Sequence, residues 1–283
     1  MASWCNGRVG PLNLSIALTR RARGAVQVTS VVMTVVEALV LLIGGFFAGV
    51  INSMAGGGSL LSVPLLSLAG VGGTLANGTN RIAVLIQNAT GAYGYARRNV
   101  GNARRTAQVL APTVIGGLLG SLVASEIPDE LFERLFGLLM LPLLALSIWK
   151  PRPDADKEPW PAPVSFVVFV GVGFYGGAVQ AGVGLIILLV LSRAGFDLVT
   201  ANAMKTVVIL AITVMAVPVF IYNDQVRWIP AIVLSVGMGV GGYVGANVAV
   251  DGGERLIKPV LVVVVLVLAS RMLGLWSLVG IGA

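Results

Sequence analysis

Apolar segments follow one another along almost the whole chain, at roughly 30–53, 59–70, 77–96, 106–125 and 131–149, then 164–181, 185–194, 199–222, 228–250 and 255–275. Several approach the roughly 20 residues that cross a bilayer. Hydrocarbon offers no partner to a backbone N–H or C=O, so a chain of such runs has helices as its solution. With 57% hydrophobic and 11% charged residues, it carries less than half the charge of a soluble domain, about 25%. A soluble fold of this composition could not cover its surface. The expected class is an all-α polytopic membrane protein in a multi-pass setting.

The two sets of segments resemble each other. "GGFFAGVINSMAGGGSLL" from 44 matches "VGFYGGAVQAGVGLII" from 172, "TLANGTNR" from 74 matches "LVTANAMKT" from 198, and "GGLLGS" from 116 matches "GGYVGA" from 241. Asn77 pairs with Asn202 (202 − 77 = 125) and Gly120 with Gly245 (245 − 120 = 125). A near-constant offset through three motifs in one order predicts an internal duplication, a plan common in secondary transporters. The expected organisation is a basic N-terminal tail (1–29), a first membrane repeat (30–149), a polar Pro-rich linker "KPRPDADKEPWPAP" (150–163) and a second membrane repeat (164–283).

In each half the second segment is too short. "SLLSVPLLSLAG" and "LIILLVLSRAG" would each cover about 18 Å of a core about 30 Å thick. Each follows a glycine cluster, Gly56–Gly57–Gly58 or Gly182–Val183–Gly184. Broken or re-entrant helices of this kind are tolerated where they face protein or water. Loop charge then sets the sides. "RRNVGNARR" (97–105) is expected in the cytoplasm, "EIPDE" (126–130) outside and the linker in the cytoplasm. If the short segments do not cross, ten helical segments give about eight crossings, parallel repeats and both termini inside. If they cross, the halves form a 5+5 inverted repeat with the N-terminus outside.

Carboxylates are almost absent from the apolar segments: Glu37 lies near the start of the first, and the other eleven acids sit in loops or at segment ends. Arg81 and Lys205, by contrast, lie within apolar segments on corresponding turns of the two halves. Burying a cation near the bilayer centre costs about 3 kcal/mol or more. Either these two residues snorkel to an interface, or they need counter-charge, and a transported anion would supply it. The glycine breaks suit the same ligand, because an unwound backbone exposes N–H groups and the following helix points its positive end at the break. The candidate binding residues are therefore Asn52, Ser53, Gly56, Gly57, Gly58 and Ser59 at the first break, and Gln180, Gly182 and Gly184 at the second. Asn77, Thr79, Asn80, Arg81, Asn202, Lys205 and Thr206 complete the set from the polar stripes that follow. Tight helix packing would also explain the glycines, and interhelical hydrogen bonding the stripes.

Other chemistries lack their residues. The chain has no histidine and one cysteine, Cys5, so neither a metal centre nor a disulfide framework is expected. "GGGS" is followed by no Lys-Ser/Thr and is not a P-loop. No catalytic residues, cofactor or nucleic-acid partner are expected; the net charge of +7 reads as topology signal and contact with the lipid bilayer.

These residues resemble a known family. "GGFFAGVINSMAGGGSLLSVPLL", its weaker repeat "GFYGGAVQAGVGLIILLVL", and the "ANGTNR" and "ANAMK" that follow are similar to the TauE/SafE family of sulfite exporters, over about residues 35–275. The resemblance implies a secondary transporter of the bacterial inner membrane that exports sulfite, a sulfonate or another small organosulfur anion. It places the glycine-rich motif on Asn52–Ser59 and its repeat on Gln180–Gly184, where "GVG" replaces "GGGS". The expected function is thus a non-enzymatic carrier for a small anion, with a homodimer an open option. A passive anion channel and a non-transporting membrane assembly subunit are the alternatives.

Overall fold

In a computed structural model of the chain, residues 33–148 and 160–251 are described. The basic tail, most of the linker and the last apolar segment (255–275) lie outside the described residues. Among them are nine helices and no strand: α1 Val35–Ala55, α2 Ser59–Leu68, α3 Gly73–Arg97, α4 Ala103–Ala124, α5 Asp129–Ile148, α6 Ala162–Ala178, α7 Val183–Arg193, α8 Leu198–Tyr222 and α9 Trp228–Val250. Four of them, α1, α4, α8 and α9, are long and apolar enough to cross a membrane.

The starts of these helices are written in the sequence. Thr34 and Glu37 form a capping box on α1: Thr34 N donates to Glu37 Oε2 at 2.8 Å, and Glu37 N donates to Thr34 Oγ1 at 3.2 Å. The acid nearest the apolar core is therefore a half-buried cap at the helix start. The start of α3 is closed from outside itself, with Gly73 N donating to Glu133 and Thr74 N to Asp129, both at 2.9 Å. Asp197 caps α8 through the backbone N–H groups of Val199 and Thr200 at 3.0 Å.

Helix directions follow from the contacts. α1 lies parallel to α9: a side chain added at Gly237, Gly241 or Gly245 would strike the carbonyl of Leu42, Phe46 or Val50 respectively. α3 is also parallel to α9, through Thr79 with Arg227, Thr90 with Gly239 and Arg98 with Asp251. α4 is parallel to α6, Gly173 meeting Thr113 and Gly177 meeting Gly117. α8 runs against α3, with Phe220 beside Gly78 and Thr206 beside Gly91. So α1, α3 and α9 point one way, and α4, α6 and α8 the other. The acidic residues Glu126, Asp129 and Glu130 mark one end of this bundle, and Arg97, Arg98, Arg104 and Arg105 the other.

The helices that sequence matching pairs (α1 with α6, α3 with α8, α4 with α9) are thus antiparallel. The parallel orientation of the halves is corrected. Its error lies at the breaks. After Ala55 the chain turns at Gly56, φ +81°, and α2 folds back along α1, Gly58 against Ala48 and Leu65 against Gly44. α1–α2 is a hairpin open to the acidic end. α6–α7 is a hairpin open to the arginine end, where Arg193 at the end of α7 lies over Trp160 before α6, 5.3 Å from the ring centroid. Loop charge separates the arginine end from the acidic end, but nothing in it said that a 21-residue helix would return through a 10-residue one.

Small residues carry the two longest seams, α1 with α9 and α4 with α6, where glycines bring backbone onto backbone. We predict that Gly177→Val, which drives a side chain into the Gly117 backbone, lowers stability by about 3 kcal/mol or more. Gly171→Ala in the same helix, where nothing lies within 4 Å, should leave stability unchanged or raise it by about 0.5 kcal/mol. Thermal unfolding of the detergent-solubilised variants is the measurement.

Candidate functional site

Both hairpins end inside the protein, and each ends on side chains contributed by the other half. The α6 end lies on α3. Arg81 Nη1 donates to Gln180 Oε1 at 2.7 Å and to the Gly176 carbonyl at 3.2 Å. Its Nη2 donates to the carbonyls of Gly177 and, at 3.3 Å, Ala178. Asn77 Nδ2 reaches the same Ala178 carbonyl at 2.9 Å. The Phe220 ring covers the guanidinium, with its centroid 4.4 Å from Cζ.

The α1 end lies on α8 in the same manner. Lys205 Nζ donates to the Asn52 carbonyl at 2.6 Å, to Asn202 Oδ1 at 2.7 Å and to the Ser53 carbonyl at 3.4 Å. Asn202 Nδ2 donates to the Met54 carbonyl at 2.8 Å. A second layer holds the α1 side chains: Asn52 Nδ2 donates to Gln87 Oε1 at 2.5 Å, Gln87 Nε2 to Ser53 Oγ at 2.9 Å, and Ser53 Oγ to the Gly242 carbonyl at 2.9 Å. Tyr95 Oη closes it on the Ser53 carbonyl at 2.8 Å.

The electrostatics are those of a broken helix. The last carbonyls of a helix carry partial negative charge and lack intrahelical donors. At the ends of α1 and α6 those carbonyls meet a lysine and an arginine. Arg81 and Lys205 are fully buried, at 0% exposure, which excludes snorkelling to an interface. The sequence showed no counter-charge for Arg81; in the structure backbone carbonyls and one amide oxygen take that place.

The two hairpin tips touch. Gly56 and Gly184 approach so closely that a side chain on either would overlap the other's backbone, with distances of 2.6 to 2.9 Å. Ser59 Oγ accepts from Gly182 N at 3.1 Å and donates to the Gln180 carbonyl at 3.3 Å. The N-termini of α2 and α7 therefore converge, and both carry the positive end of a helix dipole. Gln180 holds a left-handed conformation, φ +65°, which costs a non-glycine residue about 1 kcal/mol. Such strain survives where the surroundings impose it.

All sixteen residues expected to line the site are buried. The structure gathers Asn52, Ser53, Asn202 and Lys205 at one hairpin end, Asn77, Arg81 and Gln180 at the other, and Gly56, Ser59, Gly182 and Gly184 between them. Gly57 and Gly58 open α2, accepting from Leu60 N and from Leu61 N and Ser62 N. Thr79 stands apart, its Oγ1 accepting from Arg227 N, and Thr206 bonds its own helix at the Asn202 carbonyl. Asn80 is fully buried, and neither its Nδ2 nor its Oδ1 has a protein partner; Arg81 Nε and Asn77 Oδ1 are in the same position. Sequence reasoning missed Phe220 and Tyr95, although the same offset pairs them (220 − 95 = 125), and it missed the carbonyls of Gly176–Ala178. Gln87 was visible through the polar stripe of α3 and not through the offset, which falls on Ile212 (87 + 125 = 212). Among the described residues no group of acids, cysteines or histidines could hold a metal.

The sequence pattern of the family described as Sulfite exporter TauE/SafE matches residues 41–272. A probable membrane transporter protein of Sinorhizobium sp, ORF9, is 29% identical over 238 residues, covering 83% of this chain and 91% of that protein. One of Haemophilus influenzae is 26% identical over 232 residues, 81% of this chain and 91% of its own. The probable membrane transporter protein YfcA of Escherichia coli K12 is 25% identical over 238 residues, 83% and 88% of the two chains.

If the cations hold the hairpin ends, neutralising one should loosen the fold. Arg81→Gln is expected to lower stability by about 2–4 kcal/mol, since hydrogen bonds to a charged group contribute about 1.5–3 kcal/mol and orphaned acceptors add to the loss. Thermal unfolding in detergent tests this, and an unchanged melting temperature would contradict it.

Proposed function

The chain belongs to the TauE/SafE family of membrane transporters, and from that premise we propose that it is a secondary carrier that exports a small oxyanion, sulfite or an organosulfonate, across the bacterial inner membrane. One observation carries the reading. Two broken helices enter from opposite ends and meet tip to tip, with a buried cation beside each tip and the positive ends of two short helices turned towards each other. Such a centre is biased towards negative charge, and backbone N–H groups at helix starts bind anions well.

The antiparallel pairing of matched helices supports two equivalent halves in inverted orientation, the arrangement in which a single central site can open to either side. On this reading Arg81 and Lys205 do two things. They neutralise the negative ends of α6 and α1 while the centre is closed, and they share that charge with the anion when it enters. Asn80, with an unpartnered donor and acceptor, and Arg81 Nε are groups that the anion can engage. On this reading the arginine end faces the cytoplasm, as the positive-inside rule favours. An anion then leaves a negative interior down the membrane potential without a titratable carboxylate in the path.

Reconstitution in liposomes tests this. Sulfite or sulfoacetate efflux should exceed that of empty vesicles, rise with an inside-negative potential, and fall about tenfold or more in Lys205→Gln and Asn80→Leu proteins that remain folded by their melting curves. Efflux that ignores the potential, or is unchanged in both variants, would overturn the proposal. Single-channel currents far above carrier turnover would replace it with a channel.

A further inference from the structure

A second feature lies at the arginine end, away from the hairpin tips. A groove of about 500 Å³ opens between α4, the start of α6, the end of α7 and the start of α8. Its walls are apolar, with Val109, Phe169, Leu191 and Met204 behind a half-exposed Phe166. Two arginines line it, Arg105 and Arg193, and none of its lining residues is acidic. Arg193 stacks on Trp160, and Arg105 makes only a long contact to Gln108 Oε1, 3.4 Å. Both guanidinium groups are exposed and retain donors for a ligand.

We propose that this groove is a binding site for an anionic phospholipid, its phosphate held by Arg105 and Arg193 and an acyl chain laid along Phe166 and Phe169. The occupant must combine negative charge with alkyl surface. The groove stands where helix ends and a tryptophan mark the interface, on the side whose positive charge faces the anionic leaflet. Basic pockets between helices on that side suit phosphate headgroups. The neighbouring linker carries Asp154, Asp156 and Glu158 but has no apolar run to cover these walls. The site is separate from the buried centre and does not depend on what the centre carries.

The test uses the full chain in neutral detergent, with native mass spectrometry reading the affinity for phosphatidylglycerol and for phosphatidylcholine of identical chains. Phosphatidylglycerol should bind about 25-fold tighter, about fivefold for each of the two arginines. Arg105→Gln and Arg193→Gln should each remove about a fivefold share of that preference, the equivalent of about 1 kcal/mol per arginine. Arg104→Gln, exposed in the same first turn of α4 but outside the groove, should leave it intact. Equal affinity for the two lipids overturns the proposal. So does an equal loss in Arg104→Gln, which would mean diffuse surface charge. So does phosphatidylglycerol binding that emerges only when Asp154, Asp156 and Glu158 are neutralised, which would give the groove to the linker.

Discussion

The fold depends on one electrostatic arrangement, the meeting of a buried cation with the carbonyl end of an interrupted helix. A helix that stops in hydrocarbon leaves up to four carbonyls without donors, and the penalty for each is of the order of kcal/mol. A cation in hydrocarbon is also unfavourable. Placing Lys205 on the end of α1 and Arg81 on the end of α6 cancels much of both costs in one contact. The exchange also ties the halves together, because each cation comes from a helix in the half opposite to the hairpin it secures. Neither half could satisfy its own broken helix in this way.

The glycine seams complement that arrangement. Backbone-to-backbone contact along α1 with α9 and α4 with α6 leaves no side chains to slide or repack, so those pairs act as stiff units. The hairpin tips meet through glycines as well, but over a single point, Gly56 with Gly184, and through one hydroxyl, Ser59. A contact made of few atoms separates at less cost than a long seam. If the centre opens to one side or the other, the small contact between the tips is the one that parts most easily.

Much of this was legible in the residues. The apolar runs gave the helices, the glycine clusters gave both breaks, and the constant offset placed Arg81 and Lys205 on corresponding turns. The direction of the halves was not legible. It turned on whether the chain reverses after Ala55 and Val179, and a glycine with φ +81° has the same letter as a glycine inside a helix. The partners of the cations were hidden for a different reason. They are backbone carbonyls, which every residue has, so composition and spacing say nothing about them. Phe220 stands one offset from Tyr95 (220 − 95 = 125), but an aromatic ring over a guanidinium looks, in sequence, like any other apolar residue of α8.

The chemistry of the tips bears on how such a centre could release what it binds. The groups nearest the contact are a serine hydroxyl, backbone N–H groups and a glutamine, while the two full charges sit one step back and are already partly neutralised by carbonyls. A bare lysine or arginine at the tip would hold an oxyanion strongly and let it go slowly. Partial charges from two helix starts, with a cation that must give up carbonyl contacts in order to engage, make the gain on binding a difference between two comparable states. A transporter needs that balance, because its site must be favourable enough to enter and shallow enough to leave. On the proposed anion-carrier reading, the same balance would account for positive residues that are fully buried yet not aimed at the tip: with the centre closed they finish two helices, and an anion competing with those carbonyls would draw them away.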